Sequence, residues 1–368
     1  MILGKGAYLS SQQAVYPVFD GHNDTITKLR EVRGSFFNES DEFHISLPLA
    51  RRSGLVGGFF AIWVPDADHV PDFSDDDDED LVSKAYNSVE TMPPMMTTAY
   101  AQEFALISLG QLLKLEREAN GELRIVRSVG DIERAMADGV FAVEVHFEGA
   151  EPIDAGLDSL DAFHAAGLRS LGLVWSRPNL FAHGVPFGFP SSPDTGPGLT
   201  DAGKALVSDC NELGIMLDVS HLNEKGFWDL ASIIDRPIVA THCGAHALCP
   251  SARNLTDKQL DAILDSNGVV GVNFHVGFLN PIGDKATPEN TSLTAIADHL
   301  DYIAQRIGVD CVALGSDFDG ARMPGDLFNT GGLPALMTEL KRRGYDDDAL
   351  AKIGYGNWLR IFRATWID

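Results

Sequence analysis

Val15-Tyr16-Pro17-Val18-Phe19-Asp20-Gly21-His22-Asn23-Asp24 is the stretch on which the reading of the whole chain turns. The apolar run 15–19 predicts a short β-strand, which stops at the glycine and polar residues that follow. Residues two apart on an extended segment project to the same side, so His22 and Asp24 would aim at one point. An imidazole and a carboxylate placed so are what the first two ligands of a metal site require. The plainer reading is a strand-end turn in which Asp24 caps the next helix. This stretch alone leaves both open.

Outward from it, similar apolar runs recur at 55–64, 140–147, 168–175, 215–220, 237–241, 269–274 and 311–316. Several are continuous rather than alternating, the pattern of parallel strands covered on both faces. Helical periodicity fills the intervals 98–119, 130–138, 157–166, 200–213, 224–235, 256–267, 292–307 and 333–343, with a last helix at 346–363. Thr200-Asp201 and Thr256-Asp257 are helix-start signals, and Gly139, Gly167, Gly214, Gly268, Gly308 and Gly344 are stops. Eight strands alternating with helices predict an α/β fold, a (β/α)8 TIM barrel. A doubly wound sheet has similar alternation, but no GxGxxG follows the first strand, which disfavours its dinucleotide-binding form. A single barrel domain over 1–368 is expected, with loop insertions at about 65–97 and 176–199 that leave strand ends and overhang the face where barrel active sites lie.

The 368 residues are 45% hydrophobic and 22% charged, enough apolar content for a full core. A net charge of −25 disfavours nucleic acid and anionic membranes, both of which need a positive surface. The acidic run Asp75-Asp76-Asp77-Asp78-Glu79-Asp80 reads as a solvated loop. Cys210, Cys243, Cys249 and Cys311 are scattered and read as reduced thiols. Met1 to Gln13 lacks a signal-peptide core, no apolar run approaches a membrane span, and the C-terminus lacks a lipid-anchor tail. A cytoplasmic location without membrane contact is expected.

The strand ends carry the chemistry. After His22 and Asp24 come His146-Phe147-Glu148-Gly149, Asp218-Val219-Ser220-His221, Thr241-His242-Cys243-Gly244 and Gly315-Ser316-Asp317-Phe318-Asp319-Gly320. In a barrel these ends face one cavity. Three imidazoles with two or three carboxylates suit one or two divalent ions of the zinc type. Two ions about 3.5 Å apart need a bridging anion. No lysine occupies a strand end, and Glu148 is assigned as the bridge.

With these pieces in place the chain resembles the membrane dipeptidase (renal dipeptidase) family of zinc peptidases, from about residue 16 to 362. The resemblance is carried by Asp20-Gly21-His22-Asn23-Asp24, Glu148-Gly149, Gly198-Leu199-Thr200-Asp201-Ala202-Gly203, Leu217-Asp218-Val219-Ser220-His221, Thr241-His242, Ser251-Ala252-Arg253-Asn254-Leu255-Thr256-Asp257 and Gly315-Ser316-Asp317-Phe318-Asp319-Gly320. It implies a barrel with two zinc ions per chain that hydrolyses dipeptides, L-Xaa-L-Xaa and L-Xaa-D-Xaa. It also implies one metal on His22 and Asp24, Glu148 as bridge, and the second metal on His221 and His242. By the same resemblance Arg253 grips the substrate carboxylate, Asp317 moves the proton from water to leaving amine, and the chain forms a homodimer.

The chain departs from the family pattern after the fourth predicted strand, where Trp175 stands in the place of a histidine that contacts the scissile region. Indole donates one hydrogen bond and does not titrate, so Trp175 is a substrate-binding candidate with His183 as a possible substitute donor. Asp319 is a lesser candidate for the role of Asp317. His146 is expected to pack under the site, and His246 and His275 to line the pocket or serve structure. Phe187, Phe189 and Met92-Pro93-Pro94-Met95-Met96 read as lid or interface packing. Two other functions fit the same strand ends: a binuclear metallohydrolase acting on acylated amino acids, lactams or lactones, and an idle barrel that only binds.

Overall fold

The computed structural model describes residues 15–32, 34–66 and 86–367. The segment Met1 to Gln13 and the acidic run 75–80 lie outside them. Strands are β1 (Val18–Asn23), β2 (Leu55–Trp63), β3 (Leu123–Ile125), β4 (Phe141–Glu148), β5 (Leu168–Gly172), β6 (Met216–Asp218), β7 (Val239–Cys243), β8 (Val269–Val272) and β9 (Val312–Leu314). Eight of them run parallel in the order β1-β2-β4-β5-β6-β7-β8-β9, and β3 lies off this path, paired with β4.

Closure is made where β1 meets the chain after β9. Asp24 N–H donates to Phe318 O at 2.8 Å and Asp317 N–H to His22 O at 3.0 Å. The Asp20 carboxylate accepts both the N–H and the hydroxyl of Ser316, each at 2.7 Å. These bonds return the last strand to the first, and the expected (β/α)8 barrel is the fold. They also explain why β1 runs further than the predicted 15–19: its polar half is held extended by the chain that follows β9. His22 therefore lies inside the strand and Asp24 one residue past its end.

The helices begin and end largely as their signals predict. Thr200 Oγ1 accepts Gly203 N–H at 3.0 Å, Thr256 and Gln259 form a capping box, and Gly214 closes its helix at φ +71°. The helix Thr25–Glu31 follows Asp24 as the plainer reading of that stretch had it, the short helix Leu47–Ser53 was not expected, and the predicted 168–175 strand stops at Gly172. The predicted final helix divides into Asp347–Ala351, a π-helical turn Lys352–Gly356, and Asn357–Thr365. A side chain at Gly354 would strike the Pro17 carbonyl, so the turn brings the chain against the start of β1.

This last helix plugs the barrel opposite the site. The buried Trp358 lies 4.9 Å from Phe59, and its indole N–H donates to Leu314 O at 3.2 Å. Gly21 and Gly271 leave room for its ring, since a Cβ at either would meet it at van der Waals overlap. Phe19, Phe59 and Phe362 complete an aromatic floor. No helix among the described residues is long and apolar enough to cross a membrane.

Candidate metal centre

Strand ends set the site. Register pairs Trp63 with Glu148 and Glu148 with Gly172, which fixes Glu148 at the last rung of β4. Its Oε1 lies 3.0 Å from His221 Nε2, 3.5 Å from His242 Nε2 and 3.7 Å from His22 Nε2. His22 Nε2 is also 3.5 Å from Asp24 Oδ2. Ligand atoms of His22, Glu148 and His242 lie within 4.8 Å of one another, as do those of His22, Asp24 and Asp317. Asp24 does occupy the helix N-cap, yet its side chain makes no cap hydrogen bond and turns to His22 instead. His221 and Asp317 reach the cluster with φ near +65°, a left-handed backbone that residues with a Cβ rarely adopt and that concentrates at functional sites.

Behind the ligand atoms, hydroxyls set the imidazoles. Thr241 Oγ1 donates to Asp218 Oδ2 at 2.6 Å, so its oxygen is left to accept from His242 Nδ1 at 2.8 Å. The His242 proton is thereby placed on Nδ1, and Nε2 faces Glu148 as a bare lone pair. Ser176 Oγ lies 2.8 Å from His221 Nδ1, a hydrogen-bond contact that orients that ring. Asn273 Nδ2 donates to Asp317 Oδ2 at 2.9 Å and leaves Oδ1 for other work. Sequence reasoning gave Ser176, Asp218 and Asn273 no role, because an outer partner is recognisable only through the atom it touches.

The electrostatics call for a cation. Burial pushes Glu148 well above the usual carboxylate range against the pull of His22, and Asp24 and Asp317 push it further. Asp317 is raised by burial too, with His22 opposing and Asp24 adding. His22 is raised to about 10: burial disfavours its charge, but Glu148, Asp24 and Asp317 together outweigh burial. His221 and His242 are driven well below their ordinary value by burial, with Arg253 and His22 adding repulsion, which favours the neutral form that a metal would need. Both His22 ring nitrogens and Asp24 Oδ1 are buried without a hydrogen bond. Such unpartnered nitrogen and oxygen atoms among converging carboxylates fit divalent metal ions of the kind bound by nitrogen and oxygen.

Arg253 is 2% exposed. Its guanidinium donates to His242 O at 3.1 Å and to Cys243 Sγ at 3.7 Å, and lies 5.4 Å from the Phe278 ring centre. No carboxylate among the described residues lies within ion-pair distance of it. Trp175 stands beside the cluster with its ring 5.9 Å from that of His221, packed against Trp63, Tyr86 and Phe187. Behind it sits Arg177, 1% exposed, 4.9 Å from the indole and bonded to Asp66 Oδ1 at 2.8 Å and Val64 O at 3.0 Å. Arg177 thus clasps the first insertion to the second, a link between distant segments that no local pattern announces.

The remaining candidates are spread more widely. Asp319 accepts from Thr25 Oγ1 and His44 N–H, both at 2.6 Å, so its carboxylate serves the loop rather than the cluster. His146 lies under the site, 5.5 Å from His22, its Nδ1 2.7 Å from Ser170 Oγ. His246 Nε2 reaches Ser191 O at 3.0 Å and ties down the second insertion. His275 stacks on Phe278 at 4.3 Å on the Arg253 side. His183 is engaged through its carbonyl, which accepts from Asn223 N–H at 3.2 Å.

The geometry has counterparts among known proteins. Residues 10–366 match the membrane dipeptidase family, peptidase family M19. A solved metallopeptidase from Rhodobacter sphaeroides, liganded with a phosphinate mimic of the dipeptide L-Ala-D-Ala, is 44% identical. That match has a TM-score of 0.87 and covers 96% of this chain and 100% of the other. The dipeptidase AC, a metallopeptidase of family M19, is also 44% identical at a TM-score of 0.86, over 96% and 99% of the two chains. A Klebsiella pneumoniae protein of the pqqA 5′ region is 49% identical over 258 residues, 70% of this chain and 94% of the relative. The chain belongs to the membrane dipeptidase family, peptidase family M19, and is a metal-dependent dipeptidase of that family.

Proposed function

We propose that the protein binds two zinc ions per chain and hydrolyses dipeptides of the L-Xaa-L-Xaa and L-Xaa-D-Xaa types. His22 and Asp24 would hold one ion, His221 and His242 the other, and Glu148 both. When bound, the ions would supply Lewis acidity toward the scissile carbonyl and the attacking water. The chain supplies the rest. Arg253 takes the free carboxylate of the substrate and so positions a peptide bond one residue away over the cluster. Asp317, held at Oδ2 by Asn273, has Oδ1 to accept the proton of the attacking water and pass it to the departing amine. Trp175, beside His221, walls the pocket and excludes water from it.

The observation that carries this reading is the buried guanidinium of Arg253, which lacks a carboxylate partner and is bonded to the main chain of a cluster histidine. A buried charge without a counterion is costly, and a substrate carboxylate relieves it. The relative solved with a mimic of L-Ala-D-Ala points to the same substrate class. Zinc-loaded protein is to be assayed against L,L- and L,D-dipeptides, N-acyl amino acids and lactones. Release of free amino acids from dipeptides alone is expected, and turnover confined to acyl amino acids or lactones would contradict the proposal.

A further inference from the structure

Phe187 lies in the second insertion, in a position that its sequence context assigned to lid packing. Its ring is 5.6 Å from Trp175, edge-on to His221 at 6.3 Å, and parallel to Phe278 at 6.2 Å with 8° between the planes. Phe278 in turn stacks on His275 and lies beside Arg253. Phe187 therefore lies between a cluster imidazole on one side and, on the other, the Phe278 ring that backs Arg253. Only one piece of a bound dipeptide occupies that interval, the C-terminal residue between the scissile nitrogen and the carboxylate on Arg253.

The wall is fixed. Phe187 N–H donates to Tyr86 O at 2.8 Å, and Gly188 packs so close to the Asn87 carbonyl that a side chain there would clash. Arg177 holds the two insertions together through Asp66 and Val64. A half-buried ring held at this distance from the reacting centre is neither core filling nor free surface.

We propose that Phe187 is the specificity-determining residue for the C-terminal side chain of the substrate, limiting its bulk and the direction in which it leaves the α-carbon. The proposal rests on the dipeptidase reading with Arg253 as anchor. A rigid ring accepts a small apolar substituent and rejects a branched one, and one methylene in such a pocket changes kcat/KM by about 10- to 200-fold.

The test is kcat/KM for L-Ala-L-Ala, L-Ala-L-Leu, L-Ala-D-Leu and L-Leu-L-Ala with wild type, Phe187→Ala and Phe187→Leu. Ratios within one preparation do not depend on its active fraction, so partial misfolding does not disturb them, and Phe187→Leu nearly keeps the volume. In Phe187→Ala the ratio of L-Ala-L-Leu or of L-Ala-D-Leu to L-Ala-L-Ala is expected to rise about tenfold, with a smaller rise in Phe187→Leu. The ratio of L-Leu-L-Ala to L-Ala-L-Ala should stay within about twofold. Unchanged C-terminal ratios, or an equal change in the N-terminal ratio, overturn the proposal while leaving dipeptidase activity standing. Absence of turnover of every dipeptide by wild type overturns the functional reading and this proposal together.

Discussion

Arg253 Nη2 donates to the main-chain carbonyl of His242 at 3.1 Å. One residue thus offers its imidazole to the metal cluster and its carbonyl to the guanidinium on the other side. The distance from the imidazole cluster to the guanidinium is set by a single residue of β7 rather than by flexible loops. With Arg253 holding the substrate carboxylate as proposed, this spacing would measure substrate length.

Replacing Arg253 by Lys keeps the charge but loses the planar fork. The kcat/KM for a free dipeptide should fall by about a hundredfold. Turnover of the corresponding dipeptide amide, expected to be slow in wild type as well, should change by less than about threefold because it has no carboxylate to lose. Equal losses on both substrates would show that Arg253 supports the fold and not the carboxylate.

Asp218 acts on His242 through Thr241. In Asp218→Asn the new amide can donate to the Thr241 hydroxyl, which then donates to His242 Nδ1 and moves the ring proton to Nε2, the ligand atom. Zinc affinity should drop by about 10- to 100-fold, measured by competition with a chromophoric chelator, with the circular dichroism spectrum retained. Unaltered affinity would remove Asp218 from the metal site.

The barrel and the cluster differ in how far sequence reveals them. Apolar runs and helix stops are local, and they located eight strands and the strand ends bearing His22, Glu148, His221 and His242. The hydroxyl relay, the Arg177 clasp and the placing of Phe187 depend on contacts between segments as far as 113 residues apart, which periodicity does not encode. Asp319 illustrates the limit: two residues from Asp317 with the same left-handed backbone, it spends its carboxylate on Thr25 and His44. The short β3 was missed because Leu123-Arg124-Ile125 is too brief to show a period.

Glu144 gives the fold a pH dependence of definite sign. Burial raises it to about 8, against the opposing Ser170 hydrogen bond and the nearby Arg169 and His22 charges. Between about pH 4.5 and 8 the native state holds a proton there that the unfolded chain has released. This contribution to stability is full below pH 4.5 and is lost as pH rises through 8. Glu144→Gln removes it, so in urea unfolding the variant should gain on wild type by about 1.4 kcal/mol per pH unit across that window. A difference independent of pH would contradict a protonated native Glu144.

Glu148→Gln leaves the shape of the cluster but takes away the charge shared by its three imidazoles. Bound zinc should fall below two per chain, and kcat should fall by about a thousandfold, the size expected when several kcal/mol of charge stabilisation are lost. Elemental analysis and turnover on one sample check both. Full activity would take Glu148 out of the bridging position.

The most direct measurement is a titration of metal-free protein with zinc, following hydrolysis of L-Ala-L-Ala. Activity should be absent without metal and rise to a plateau at two equivalents per chain. Full turnover by metal-free protein, or a plateau at one equivalent, would contradict a two-metal centre built from His22, Asp24, Glu148, His221 and His242.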